Sequence, residues 1–247
     1  AAENFNVVTT TFAPFQTIRC CEQIKVNLGY MKHKVTLVGL ASGLALGNLG
    51  YTHCCIEDIG ILRTIPNITI LSPADSLETV KCLEHSLNSK RSVYIRLTGT
   101  SNNPIVYKED YEFEIGKSIK LLDGEDITIF CTGRMVHNSL KAAEILKENK
   151  ISTRVINMHT IKPIDQKAIE DANNTKMIFS VEEHNVIGGL GSAIAEHHSS
   201  LKSSVKLIRL GVQDAYSSGG SYDYLQKKHG LSSTNIVETI LKNYQKI

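Results

Sequence analysis

The chain has no tryptophan, and aromatic residues make up only 6% of it. A surface that stacks nucleic-acid bases needs aromatic faces, so that class is disfavoured. A basic stripe is missing too: 27 Lys and Arg stand against 25 Asp and Glu, a net charge of +2, which points to no polyanionic partner. Long apolar runs are absent. The most apolar stretch, residues 35–50, is broken by Gly39, Gly43, Gly47 and Gly50, and it falls short of the roughly 20 residues of a membrane helix. The opening AAENFNVVTTTF lacks the basic segment, apolar run and small-residue cleavage site of a secretory leader. Six cysteines are present, but Cys20-Cys21, Cys54-Cys55, Cys82 and Cys131 form neither a disulfide framework nor a Cys-x-x-Cys metal site. The expectation is a reduced, cytoplasmic protein with no membrane segment and no nucleic-acid partner.

What is present is a core. Hydrophobic residues form 42% of 247 positions, enough for one or two packed domains. Short runs rich in Val and Ile, such as VTLVGL and MIFSV, suit central strands covered on both faces. They fall at 5–10, 34–40, 68–71, 92–97, 118–121, 127–131, 153–158, 176–181 and 205–210. Helical spacing lies between them, at 14–28, 56–64, 73–87, 135–148, 164–173, 190–201, 222–229 and 233–244. At 73–87, Ser72 and Pro73 read as cap and first helical residue, and Leu77, Val80, Leu83 and Leu87 recur at helical spacing. Strand–helix alternation predicts an α/β protein of two three-layer α/β/α domains with mostly parallel sheets. The alternation pauses at the polar, Pro-containing stretch 98–114. The expected division is a first domain over 1–99, a linker over 100–116 and a second domain over 117–247. Asp123-Gly124-Glu125-Asp126 reads as a hairpin turn between two strands.

No Ser nucleophile elbow, P-loop or His-Glu-x-x-His is present. The Gly-rich turn Gly188–Ser192 follows a strand and opens a helix, the setting of a phosphate cradle. It lacks Gly-x-Gly-x-x-Gly spacing, so a tight turn with close helix–sheet packing is the favoured reading. Glu182-Glu183-His184 lie at a strand end, where acid–base groups or structural groups both occur, and the structural reading is favoured. Thr52-His53-Cys54-Cys55 ends a Gly-rich segment and places one imidazole where a cavity would be lined. Adjacent cysteines point apart, which argues against a Cys-Cys-His metal site. Phe12 and Phe15 are three apart and share a face if the turn is helical. That face is suited to a flat heterocycle or to ordinary corner packing.

In order, these segments resemble the C-terminal section of the transketolase family. The resemblance is carried by TTTFAPFQTIRCCEQIK, GLALGNLGYTHCCIEDIGILRTIPNITILSPADSLE and VYIRLTG, then by DITIFCTGRMVHNSLKAAEIL, INMHTIKPID and VEEHNVIGGLGSAIAE. It spans nearly the whole chain and implies a pyrimidine-binding domain followed by the family's C-terminal domain. It further implies thiamine diphosphate with Mg²⁺ as cofactors and transfer of a two-carbon ketol unit between sugar phosphates. By resemblance, Phe12 and Phe15 pack on the aminopyrimidine ring and His53 is the active-site imidazole.

Five departures accompany the match. The family's catalytic Glu would fall before Ala1, so the first domain is expected to lack its N-terminal part. Family Asp, His and Arg positions carry Leu49, Ala41 and Gly99 (or Thr98) here. Arg96 stands near the last, in a strand register that favours a structural role. No Gly-Asp-Gly with a downstream Asn is present, so the oxygen ligands that Mg²⁺ requires are expected on a separate, N-terminal diphosphate-binding subunit, with no metal ligand on this chain. A homo- or hetero-oligomer follows. A deoxyxylulose-phosphate-synthase-like chain, a 2-oxoacid-dehydrogenase-β-like chain and a non-catalytic structural subunit share this architecture and stay open.

Overall fold

The computed structural model describes residues 1–3, 5–100, 102–202 and 205–246; Ser101, inside the expected linker, lies outside them. The strands form two five-stranded sheets. The first has the order β1 (Val7–Phe12), β2 (Val35–Ser42), β4 (Ser92–Thr98), β3 (Ile68–Leu71), β8 (Thr160–Lys162). The second runs β10 (Lys206–Val212), β9 (Met177–Asn185), β6 (Ile127–Cys131), β7 (Thr153–Asn157), β5 (Ile119–Leu122). Four strands of each sheet are parallel, and one edge strand is antiparallel: β8 on β3 and β5 on β7. Central strands β3 and β6 are buried along their whole length, which is why they read as unbroken apolar runs. Helices flank both sheets, as the alternation predicts.

Two features of strand order escape a sequence reading. Strand β8 lies beyond the expected linker yet completes the first sheet, tying the two units together. The turn at 123–126 closes no hairpin. Strand β7 sits between β5 and β6, antiparallel to one and parallel to the other. Gly124 crosses the start of β7 so closely that a side chain would collide with the backbone of Thr153 and Arg154. A glycine that looks like a turn residue is a close-approach residue.

Local chemistry reshapes two expected helices. The segment 14–28 is not one helix: α1 (Ala13–Gln16) and α2 (Cys21–Gln23) are separate, and α2 widens into a π-helical stretch, Ile24–Tyr30. The Thr17 hydroxyl donates to the Ala13 carbonyl at 2.6 Å and the Cys20 thiol to the Phe15 carbonyl at 3.2 Å, so side chains compete for main-chain acceptors. After α3 (Asp58–Arg63), helix α4 (Ser76–Asn88) begins later than Ser72 predicts, because Asp75 is the cap. Its carboxylate accepts from the Glu78 amide at 3.0 Å, and the Glu78 carboxylate accepts from the Ala74 amide at 2.6 Å, a reciprocal capping arrangement. The buried face of α4 is Glu78, Cys82 and Ser86; Val80 of the apolar stripe is 53% exposed.

The later helices, α5 (Met135–Glu148), α6 (Gln166–Ala172), α7 (Leu190–His198), α8 (Tyr222–Lys228) and α9 (Ser233–Tyr244), lie close to expectation. Asp165, Ser221 and Ser232 cap α6, α8 and α9. The core crosses between units: Ile59, Leu62 and Ile70 share one apolar cluster with Phe130, Ile156 and Ile178. Each such side chain, fully buried, contributes about 1.5–3 kcal/mol.

Candidate functional site

Phe12 is the last residue of β1, at the carboxyl edge of the parallel sheet, where α/β proteins bind ligands. Pro14, the second residue of α1, has its φ preset for a helical turn, which brings Phe15 round to the same side. The two rings lie 6.1 Å apart, edge to face. His53, far along the chain on the β2–α3 loop, completes the group: its ring is 5.4 Å from Phe15 and 6.4 Å from Phe12. All three residues nominated from sequence are therefore in one place. Phe12 is 38% exposed, an unusual position for a core aromatic, while Phe15 and His53 are half-buried. The hydroxyl of Thr52 lies 2.9 Å from His53 Nδ1, which engages that nitrogen.

Phe12 also forms a wall of a cleft of about 770 Å³, bounded by Ala41, Leu46, Val80, Leu97 and Asn103 among others. Gly99 lines it, at φ +83°, with Asn103 packed against its α-carbon. Among the described residues that line the cleft, none is Lys, Arg or His. Leu49 is on the surface, 56% exposed. Sequence reasoning did not single out Arg19. Its guanidinium sits 3.9 Å from the Phe15 ring centre, a cation–π contact. The i, i+4 spacing from Phe15 was the available signal.

Beneath this surface lies a buried polar cluster joining the two units. Arg96 Nε donates to both Asp58 oxygens at 3.0 and 2.8 Å, and its Nη2 donates to the Cys55 and Glu183 carbonyls at 3.1 and 2.9 Å. The Tyr94 hydroxyl donates to Asp58 at 2.6 Å. Arg96 thus holds structure, as its register implies. His184 Nε2 accepts from the Gly60 amide at 3.2 Å, and burial pushes the imidazole down to about 4, so it is neutral at pH 7. Glu182, Glu183 and His184 are all within 1% of complete burial, and every one is committed to internal bonds.

The Gly-rich turn is also occupied from within. The Glu182 carboxyl accepts from the Leu190 and Gly191 amides at 2.6 and 2.8 Å, filling the start of α7 where a phosphate would sit. Gly189 has no room for a β-carbon because Glu182 is there. Burial pushes Glu182 up to about 7, against the two amide donors, which pull it down. The six cysteines are free; burial pushes Cys54 up to about 11, so it is no thiolate nucleophile near neutral pH. Among the described residues, no group of three or more His, Cys, Asp or Glu is placed to hold a metal ion, and no helix is long and apolar enough to cross a membrane.

Comparison with known proteins bears on the family and the fold. Residues 1–103 match the family described as "Transketolase, pyrimidine binding domain", and residues 116–236 match "Transketolase, C-terminal domain". The chain is 38% identical over 242 residues to a "Putative transketolase C-terminal section" of Methanocaldococcus jannaschii, covering 97% of this chain and 76% of that one. It is 37% identical over 236 residues to one of the subunits of an apulose-4-phosphate transketolase from Phocaeicola vulgatus, covering 95% and 75%. A solved structure titled "Split gene transketolase, inactive beta4 tetramer" superposes with a TM-score of 0.85 at 32% identity, covering 96% of this chain and 75% of that one.

Proposed function

The chain belongs to the transketolase family, and from that premise we propose that it is the pyrimidine-binding subunit of a split, thiamine-diphosphate-dependent transketolase. The observation that carries this is the convergence of Phe12, Phe15 and His53, 41 positions apart at the extremes of the set, on one exposed edge of the first sheet. Two aromatic rings with a half-exposed face fit a flat heterocycle, so the residues present suit the aminopyrimidine of the cofactor. When bound, thiamine diphosphate supplies the electron sink for carbon–carbon cleavage. This chain's part is narrower. Phe12 and Phe15 orient the ring and exclude water from one side of it. His53 Nε2 takes and returns the proton of a substrate hydroxyl, the work of a general acid–base group.

The diphosphate and Mg²⁺ are assigned to a separate subunit, because a hard cation needs several oxygen ligands and the sequence carries no Gly-Asp-Gly with a downstream Asn to supply them. The relatives support a partner: one is named as a transketolase subunit and another as a β4 tetramer of a split transketolase. The reaction assigned is two-carbon ketol transfer between sugars, sugar phosphates among them. The cleft wall formed by Ala41, Leu46 and Gly99 offers no cation, so a substrate phosphate would be gripped by the partner's side of the site. The division into 1–99, 100–116 and 117–247 and a cytoplasmic location belong to the same proposal.

The test is reconstitution. Thiamine diphosphate and Mg²⁺ are titrated calorimetrically into this chain, into the diphosphate-binding subunit, and into the mixture, with ketol transfer from a ketose phosphate followed in parallel. Tight binding and turnover in the mixture alone are expected. No cofactor binding in the mixture would favour a non-catalytic structural subunit.

A further inference from the structure

His53 rides on a loop that the second unit holds from two sides. At its base, Gly43 and Cys55 exchange both main-chain hydrogen bonds, at 2.8 and 2.9 Å, closing residues 44–54 into a compact excursion. The strand end of β9 fastens that base. Glu183 Oε1 accepts from the Leu44 amide at 2.8 Å, and its Oε2 accepts from the Tyr222 hydroxyl at 2.6 Å and from Gln226 Nε2 at 3.3 Å. Gly43, at φ +70°, has no room for a β-carbon because the Glu183 carboxyl fills that space. Arg96 links the same two strands of structure, donating from one nitrogen to Cys55 and Glu183 carbonyls. At its outer part, the Gly220 amide donates to the Gly47 carbonyl at 3.0 Å, and the Tyr51 hydroxyl lies 3.0 Å from both Ser217 Oγ and His229 Nε2.

We propose that Glu183 is a positioning residue for His53: the second unit sets where the imidazole stands by clamping the loop that carries it. This rests on the reading of His53 as the imidazole that meets substrate. The physical grounds are direct. A loop with Gly43, Gly47 and Gly50 in it has a large conformational entropy to lose, and a buried carboxyl with three donors fixes it at one point. His53 is only nine residues from the Leu44 amide and two from Cys55, so a shift at the base is transmitted within one short, closed segment. A misplacement of about 1 Å is enough to lower the rate of a proton transfer strongly.

Two measurements test this. On the chain alone, the imidazole ¹⁵N resonances of His53 are identified by their loss in His53→Ala. One sharp set is expected in the wild type, with broadening or doubling in Glu183→Ala and, to a smaller extent, in Tyr51→Phe; far-ultraviolet circular dichroism checks the fold. Should Glu183→Ala not fold, Glu183→Gln and Tyr51→Phe carry the test. In the complex with the diphosphate-binding subunit and cofactor, Glu183→Gln is expected to lower kcat by roughly tenfold with the donor KM within about twofold. In a His53→Ala background the same change should cost less than about twofold, the non-additivity of two residues acting through one group. Equal losses in both backgrounds, or an unmoved His53 resonance, overturn the proposal. An active His53→Ala enzyme would instead overturn the catalytic reading of His53, while the resonance measurement still decides positioning.

Discussion

At the carboxyl ends of β1, β2 and β4, the first sheet presents Phe12, Ala41 and Gly99 to an open cleft. At the carboxyl ends of β6 and β9, the second sheet presents Gly133, Glu182, Glu183 and His184 to the interior. There they meet Ser72, Leu44, Gly60 and their own α7. Both sheets have four parallel strands with one antiparallel edge. The same edge of the same architecture lines an open cleft in one unit and forms a docking plug in the other. An α/β fold therefore supplies a place where chemistry can be built, and the residues at the strand ends decide whether it is.

The buried Arg96–Asp58 pair, which the plug meets through the Glu183 carbonyl, should show the largest effect when broken. Arg96→Ala leaves Asp58 buried without its cation, and breaking a buried pair in this way costs about 3–5 kcal/mol; urea denaturation should show it. A loss under about 1 kcal/mol would show that the buried pair does not hold the fold at this point. At the open edge the effects fall on activity. His53→Ala in the reconstituted complex should lower kcat by about 100-fold, the scale of a lost general acid–base group, with a thermal midpoint within a few degrees of wild type. Phe12→Ala should raise the cofactor dissociation constant by roughly tenfold, about 1.4 kcal/mol, with little change in stability because Phe12 is 38% exposed; titration calorimetry on the complex reads it.

The smallest expected effect sharpens the chemistry of the plug. Glu182 has its folded pKa raised by burial from 4.5 to about 7. A raised folded value means that the proton is held more tightly in the folded chain. Its contribution is fully present below pH 4.5 and is lost as pH rises through about 7. Glu182→Gln, which keeps an oxygen acceptor for Leu190 and Gly191, removes that dependence. The thermal midpoint of wild type relative to Glu182→Gln should fall between pH 4.5 and 7 and level off above. His184, held down to about 4, acts in the opposite sense, destabilising the fold as pH falls below its ordinary value near 6.5. A flat difference across the whole range would show that Glu182 is ionised throughout.

Parts of the molecule were legible without coordinates because their signals are local. The Val- and Ile-rich runs reported buried strands, and the caps at Ser232 and Asp165 act within three residues. Phe12 and Phe15 come to one side because the strand ends at Phe12 and the helical turn starts at the next residue, a change the Ala13-Pro14 pair signals locally. The false hairpin at 123–126 failed on the same ground: turn chemistry was present, but strand β7 intervenes from about thirty residues away. The Ser72 cap failed because Asp75 has a reciprocal partner in Glu78. Helix 14–28 failed at Arg19 and Cys20, whose amides bond the Pro14 and Thr17 carbonyls, five and three residues back, in place of the helical four.

The sequence by itself determined the α/β class, the positions of most elements and, through the run from Gly50 to Asp75, the family. It also nominated Phe12, Phe15 and His53, since their residue types and order suffice for that. Only the tertiary structure decided that those three converge, that β8 joins the first sheet, and that Glu182 fills the Gly-rich turn in place of a phosphate. The physical reason is the range of the forces. Propensity and capping act over three or four residues. The pairing of Arg96 with Asp58 across 38 positions and of Glu183 with Leu44 across 139 is fixed by burial, which forces each polar group to find a partner wherever the chain brings one.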